Sequence, residues 1–134
     1  MIAVCLEPYR RYADFSGRTS RRDFWLYQLG YVLFLCMLGL CDAAASAVIG
    51  EDLAEGVFVT AFFVFIAGSA LPRIALTVRR LHDRGQGGTT YLWTLIPYVG
   101  WIVWIILGCR ESDRVENGWG PGPDDDPELM KLFA

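Results

Sequence analysis

The chain has 134 residues, 54% of them hydrophobic and 14% aromatic, with a formal net charge of −3. A soluble domain of this size holds fewer long apolar runs, whereas three runs here lack charge over most of their length. The net charge hides a split, because arginine gathers in two places and acid in two others; that pattern reports membrane topology and excludes a nucleic-acid footprint.

Residues 1–23 read as a cytoplasmic amphipathic and basic segment. Met1 to Leu6 is apolar but shorter than a signal-peptide core of about 7–15 residues. Pro8 to Phe15 mixes Tyr9, Tyr12 and Phe15 with Arg10 and Arg11, which suits a short interfacial segment or an ordinary polar tail. Gly17 permits a tight turn. Ser20 with Asp23 three residues on is a capping-box-like pair that opens a helix. Arg18, Arg21 and Arg22 cannot enter hydrocarbon cheaply and hold this end at anionic headgroups. Phe24, Trp25, Tyr27 and Tyr31 supply an interfacial aromatic belt.

The membrane domain, 24–109, is expected to be all-α with three transmembrane helices at about 24–46, 57–78 and 89–109. In the first, Asp42 ends the strictly uncharged part. Gly39, Ala43 and Ala47 share a small face of the kind that lets membrane helices approach. Ala43-Ala44-Ala45 resembles a signal-peptidase site, but the long apolar stretch before it favours an uncleaved anchor. Residues 50–56, with Glu51, Asp52 and Glu55, read as a short acidic loop on the far side. In the second span Ala61, Gly68 and Ala75 form another small stripe, and Pro72 predicts a kink. Arg73 lies within that span, to snorkel or to pair with an acid.

Arg79, Arg80 and Arg84 follow, with Asp83 in reach of Arg79 or Arg80 on a continuing helix. Gly85-Gln86-Gly87-Gly88 breaks it. The third run is about 25 Å as straight helix, short for a core of about 30 Å, and carries Pro97 and Gly100 at its middle. A kinked span is favoured over a re-entrant hairpin turning at residues 97–100. Trp93, Trp101 and Trp104 are read as facing lipid or neighbouring helices. The tail, 110–134, is hydrophilic, dense in turn formers at 117–123 and loosely acidic at 124–128.

Orientation follows from counting: five arginines in residues 1–23, three in 79–90 and none in 50–56. The N-terminus and the 79–90 loop are therefore expected in the cytoplasm. The tail's own charges favour neither side.

Cys5, Cys36, Cys41 and Cys109 contain no CxxC pair and match no zinc spacing, so no metal, cofactor or disulfide is expected. His82, the single histidine, stands beside Asp83, but a lone histidine at a helix end is more often structural than catalytic. No phosphate loop or HExxH motif is present, and no enzyme is expected. The residues backed as functional are a headgroup or ion-pair cluster: Arg18, Arg21, Arg22, Asp23, Arg73, Arg79, Arg80, Asp83 and Arg84. In it Asp23 and Asp83 would lock the first two helices together, or the arginines would bind anionic lipid. The partners expected are membrane lipids and a second copy or another membrane protein. The leading reading is a non-enzymatic protein acting by helix association. The alternative is an oligomeric transporter or channel component, with Arg73 and Asp42 near the pathway.

Three ordered stretches carry a resemblance. Phe15-Ser16-Gly17-Arg18-Thr19-Ser20-Arg21-Arg22-Asp23-Phe24-Trp25 is similar to the opening signature of the small bacterial inner-membrane proteins of the domain-of-unknown-function 805 family, the YhaH-like proteins. Arg79-Arg80-Leu81-His82-Asp83-Arg84-Gly85, followed by Ile96-Pro97-Tyr98-Val99-Gly100, resembles its middle. Asn117, Gly118, Gly120 and Pro121, with Trp119 between them, resemble its close. The resemblance covers roughly residues 12–124. Trp119 stands where the family more often has tyrosine, and Gly87-Gly88-Thr89-Thr90 replaces a stretch with a tryptophan. The resemblance implies a bacterial inner-membrane location and no particular activity.

Overall fold

In the computed structural model, residues 2–113 and 117–120 are described. Among them every regular element is helical: α1 (Ile2–Arg10), α2 (Arg21–Ile49), α3 (Glu51–His82), a 3-10 helix (Gly88–Leu95) and α4 (Gly100–Cys109). The acidic stretch 124–128 and Pro121 lie outside the described residues.

Two long antiparallel helices form the frame. At 29 and 32 residues, α2 and α3 extend about 43 and 48 Å, well beyond a hydrocarbon core of about 30 Å. Among the described residues, these two are long and apolar enough to cross a membrane. They meet at a single residue, Gly50, whose φ of 89° suits glycine. The acidic loop expected at 50–56 does not form. Glu51 and Asp52 occupy the first turn of α3, where the positive end of the helix dipole favours carboxylates. They start a helix, and Gly50 does the turning.

Pro72 is buried within α3, which continues unbroken through it to His82. At its end Gly85 takes φ 66°. The Gln86 amide donates to Leu81 O and the Gly85 amide to His82 O, both at 3.0 Å. This paired closure satisfies the last carbonyls through a left-handed glycine.

The third apolar segment differs most from expectation. Instead of one kinked helix over 89–109, it is a 3-10 helix, a turn at 96–99 and the ten-residue α4. Its first residues lie against the last turns of α3, since a Cβ on Gly88 would sit 3.1 Å from Val78 Cγ1. Its last residues lie at the same end, where Trp25 donates to Gly108 O at 3.2 Å. The segment therefore enters and leaves at one end of the α2–α3 pair. Pro97 offers no amide to continue a helix, Tyr98 adopts φ 64° at the tip, and Gly100 lets the arms close. A Cβ at Gly100 would lie 2.0 Å from Thr94 O.

Packing concentrates at that same end. Phe24, Tyr27 and Leu76 are buried together against Tyr9, Trp25 and Trp104. α1 lies against both α2 and α3. Cys5 Sγ contacts Leu26 O at 3.6 Å, and Tyr9 and Tyr27 have ring centroids 6.0 Å apart. Beyond it Tyr31, Phe34 and Phe65 continue the α2–α3 seam. Of the residues expected to pack, Ala75 is fully buried and Ala61 lies in the seam beside Asp42. Gly39 and Gly68 have nothing within 4 Å of an added Cβ, and Ala43 and Ala47 are exposed. The close approaches fall at Gly30, Gly100 and Gly108.

These contacts predict opposite outcomes for two glycine-to-alanine changes. Gly100→Ala destabilises the fold by about 3 kcal/mol, because backbone must move. Gly39→Ala, in open space within a helix, stabilises by up to about 1 kcal/mol. Equilibrium unfolding in mixed micelles measures both.

Candidate functional site: a buried arginine–aspartate knot

The chain between α1 and α2 crosses the end of α3. Gly17 takes φ 83° to make the turn, and the Thr19 amide donates to Arg79 O at 3.2 Å. Ser20 then caps α2, its hydroxyl accepting from the Asp23 amide at 3.1 Å, as the Ser20–Asp23 spacing leads one to expect. This path carries Arg18 over the last turn of α3.

Asp83 is the centre, with none of its surface exposed. Its Oδ1 accepts from Arg18 Nε at 3.0 Å and its Oδ2 from Arg80 Nη1. A buried carboxylate is tolerable only when paired and hydrogen-bonded, and here two guanidiniums supply both. Both guanidiniums also donate to backbone carbonyls. Arg80 donates to Thr19 O, to Arg110 O and to Ser112 Oγ. Arg18 donates to Asp83 O, Asp113 O and Gly120 O. The Asp113 amide closes the circle by donating to Asp83 O at 3.0 Å.

The tail motif seals this knot. Asn117 Nδ2 donates to His82 O at 2.9 Å, while the Asn117 and Gly120 backbones exchange hydrogen bonds in a tight turn. Gly118 lies exposed within that turn. The turn lays Trp119 on His82, with ring centroids 4.7 Å apart and planes 14° from parallel. His82 and Asp83, adjacent in sequence, thus face different partners: an aromatic ring and a pair of arginines.

The end of α4 is held by the start of α2 and by Arg80. Three successive carbonyls, Gly108, Cys109 and Arg110, accept from Trp25, Arg21 and Arg80. Cationic donors suit the negative end of a helix. A Cβ on Gly108 would lie 2.7 Å from Phe24 Cε1, so glycine allows this contact.

The expected cluster divides three ways. Arg18, Arg80 and Asp83 form the knot. Arg79 is buried and turns to Glu7, 3.0 Å away, and Glu7 also meets Arg11 at 3.5 Å. Arg73 sits over the Tyr31 ring at 4.3 Å, deeper along α3. Arg21 and Arg22 are exposed. Asp23 carries no ion pair among the described residues and serves at the helix start instead. Arg84 is half-buried with Nη1 unbonded; burial, and then the charge of Arg110, push its pKa down. Before the knot, Asp14 accepts from the hydroxyl and amide of Ser16 and from Arg11, which together hold its carboxyl well below the usual range. Sequence reasoning missed Glu7 as the partner of Arg79 and Trp25 as a cap for α4. It carried no signal for either, since both contacts join segments far apart in the chain.

Asp83→Asn leaves two buried guanidiniums without their anion and destabilises the protein by about 3–5 kcal/mol. Asp23→Asn, which keeps a polar side chain at the helix start, changes stability by less than about 1 kcal/mol. Unfolding of both variants in the same micelles tests which aspartate locks the helices.

Comparison with known proteins agrees with the geometry. A family model described as "Protein of unknown function (DUF805)" matches residues 12–121, from the strap before Arg18 to the tail turn. The Escherichia coli K12 inner membrane protein YhaH is 32% identical over 124 residues, covering 91% of this chain and 97% of YhaH. The inner membrane protein YhaI of the same strain is 27% identical over 118 residues, covering 88% and 92%. The uncharacterized protein YiiR is 37% identical over 98 residues, 70% of this chain and 58% of YiiR. No solved structure matches. With that family model covering residues 12–121 and YhaH 32% identical over nearly its whole length, the chain belongs to the DUF805 family of inner-membrane proteins.

Proposed function

We propose that the protein is a non-enzymatic inner-membrane component that works by helix association, as an oligomer or as an accessory subunit of a membrane partner. The observation that carries this reading is the contrast between the two ends of the α2–α3 pair. At the knot end, charged and polar groups turn inward, and Asp83 is paired with Arg18 and Arg80. Along the rest, the most apolar stretch of α2 has no buried residue, and Leu40, Val48, Val57 and Val64 stand out from the helices. Bilayer covers such a surface, and the uncovered Gly39 and Gly68 let a second helix come close.

In this reading α2 and α3 cross the membrane and the segment 88–109 is re-entrant, entering and leaving on the cytoplasmic side. Non-helical backbone at membrane depth is tolerated where protein flanks it, and α3 flanks the 3-10 helix. The arginine count supports a cytoplasmic N-terminus, and the bonds of Arg18 and Arg80 to Gly120 O and Arg110 O support the same side for the start of the tail. Anionic headgroups are met by Arg21 and Arg22, which face outward, and not by Arg18, Arg79 or Arg80, which are spent internally.

The alternative, a component of an oligomeric transporter, draws on Arg73 and Asp42. They line two different cavities. Asp42 lies eleven residues beyond Tyr31, the residue under Arg73, or about 16 Å along α2. A pathway joining them would need further copies.

Two measurements test the first reading. Glu111→Cys, in a chain whose four native cysteines are replaced, reacts with a membrane-impermeant thiol reagent from the cytoplasmic side, as does Tyr12→Cys, while Glu51→Cys reacts from outside. Reaction of Glu111→Cys from outside would mean three crossings. Light scattering in mild detergent gives an oligomer that Gly39→Ile with Gly68→Ile reduces several-fold. A monomeric parent protein would remove the association reading.

A further inference from the structure

Arg73 stands apart from every other arginine of the cluster. It lies ten residues before Asp83, about 15 Å deeper along α3. A guanidinium at such depth is costly unless an anion or a polar cavity receives it. Among the described residues it has no carboxylate partner, because Glu7 is taken by Arg79 and Asp83 by Arg18 and Arg80. The Tyr31 ring covers one face, which offsets part of the cost. The other side opens on a cavity of about 460 Å³ between α3 and the re-entrant segment.

That cavity is graded along the helix. Arg73, Thr77, Tyr91 and Thr94 line its polar part, and Ile66 and Trp101 line the apolar part. Thr77 and Thr94 donate their hydroxyl protons to the backbone carbonyls of Arg73 and Tyr91 at 2.8 and 2.7 Å. Among the lining residues Arg73 is the one cationic side chain, and Tyr91 adds a hydroxyl-bearing one. Both suit an anion, and the apolar part suits the beginning of a hydrocarbon chain. The volume is that of an ordinary small-ligand pocket, enough for a headgroup and not for a whole lipid.

We propose that this cleft is a binding site for one phospholipid with a net anionic headgroup, its phosphate bonded to Arg73 and its acyl chain leaving past Ile66 into the bilayer. The site is separate from the surface contacts of Arg21 and Arg22 and does not depend on the association reading. A bidentate contact of arginine with phosphate is directional as well as strong, so lysine at this position binds less well than arginine.

Native mass spectrometry of the full chain, released from nanodiscs of phosphatidylglycerol and phosphatidylcholine, tests this. The expected result is one phosphatidylglycerol retained in preference to phosphatidylcholine. Arg73→Gln lowers that retention about tenfold or more, and Arg73→Lys lowers it less. Arg22→Gln leaves the single tight adduct in place. Ala70→Phe, which fills the cleft while keeping the arginine, lowers retention without lowering the unfolding temperature in detergent. Equal retention by the parent protein and Arg73→Gln overturns the proposal, as does equal retention of both lipids. A parent protein stabilised by inorganic phosphate alone through Arg73, with no lipid preference, overturns the lipid assignment as well.

Discussion

The fold depends on one carboxylate that has been taken out of water. Asp83 has no exposed surface, and an ion of that kind unpaired in a protein interior costs several kcal/mol. The pairing brings Arg18 from before α2 onto Arg80 and Asp83 at the end of α3. Both guanidiniums also donate to backbone, which brings the carbonyls of Thr19, Arg110, Asp113 and Gly120 to the same place. Four stretches far apart in the chain are thereby fixed to each other. Such a knot adds little net stability over an apolar core of equal volume, but its disruption is expensive, so it acts on which arrangement forms.

The rest of the molecule follows from putting all that polarity at one end. α2 and α3 can then be apolar outward for most of their length, with Asp42 and Arg73 the charged residues between Asp23 and Ile49 of α2 and between Gly56 and Val78 of α3. The third apolar segment is returned to the knot end by the capping of its final carbonyls by Trp25, Arg21 and Arg80. Its reversal is made possible locally by Pro97, Tyr98 and Gly100, but the hydrogen bonds at its end choose where it finishes. Length and hydropathy carry no information about that choice.

Much of this was legible in the sequence, and the failures share a cause. Helix starts and stops were readable, as at Ser20 with Asp23 and at Gly85, because capping is decided within a few residues. The cluster of arginines was readable from their absence elsewhere. The assignment of partners was not: Asp23 looked as suitable as Asp83, and only the path of the strap through Gly17 separates them. The small-residue stripes divide in the same way: Ala75 is buried and Ala61 lies in the α2–α3 seam. Gly39 and Gly68 have helical spacing but no neighbour, whereas Gly30, Gly100 and Gly108 meet Cys5, Thr94 and Phe24, contacts that join distant segments. At 50–56 the acids suggested a loop because their charge was weighed and their place at a helix N-terminus was not.

The three motifs gain a physical meaning from this arrangement. The first supplies Arg18 and the cap of α2, the second supplies Arg80, His82 and Asp83, and the third lays Asn117 and Trp119 over them. Arg18 reaches Asp83 and Gly120 O, and Asn117 reaches His82 O, so residues from all three stretches meet in one place. Arg73 lies outside that place, although it belongs to the same helix and the same residue type. The hydrogen bond from Arg80 to Arg110 O fastens the end of the third apolar segment, and α3 forms the opposite wall of the cavity beside Arg73. The same helix thus holds the knot at its end and lines a space about 15 Å away along its length. The polar expenditure at one end of the pair and the solitary cation further along it are two consequences of the same construction.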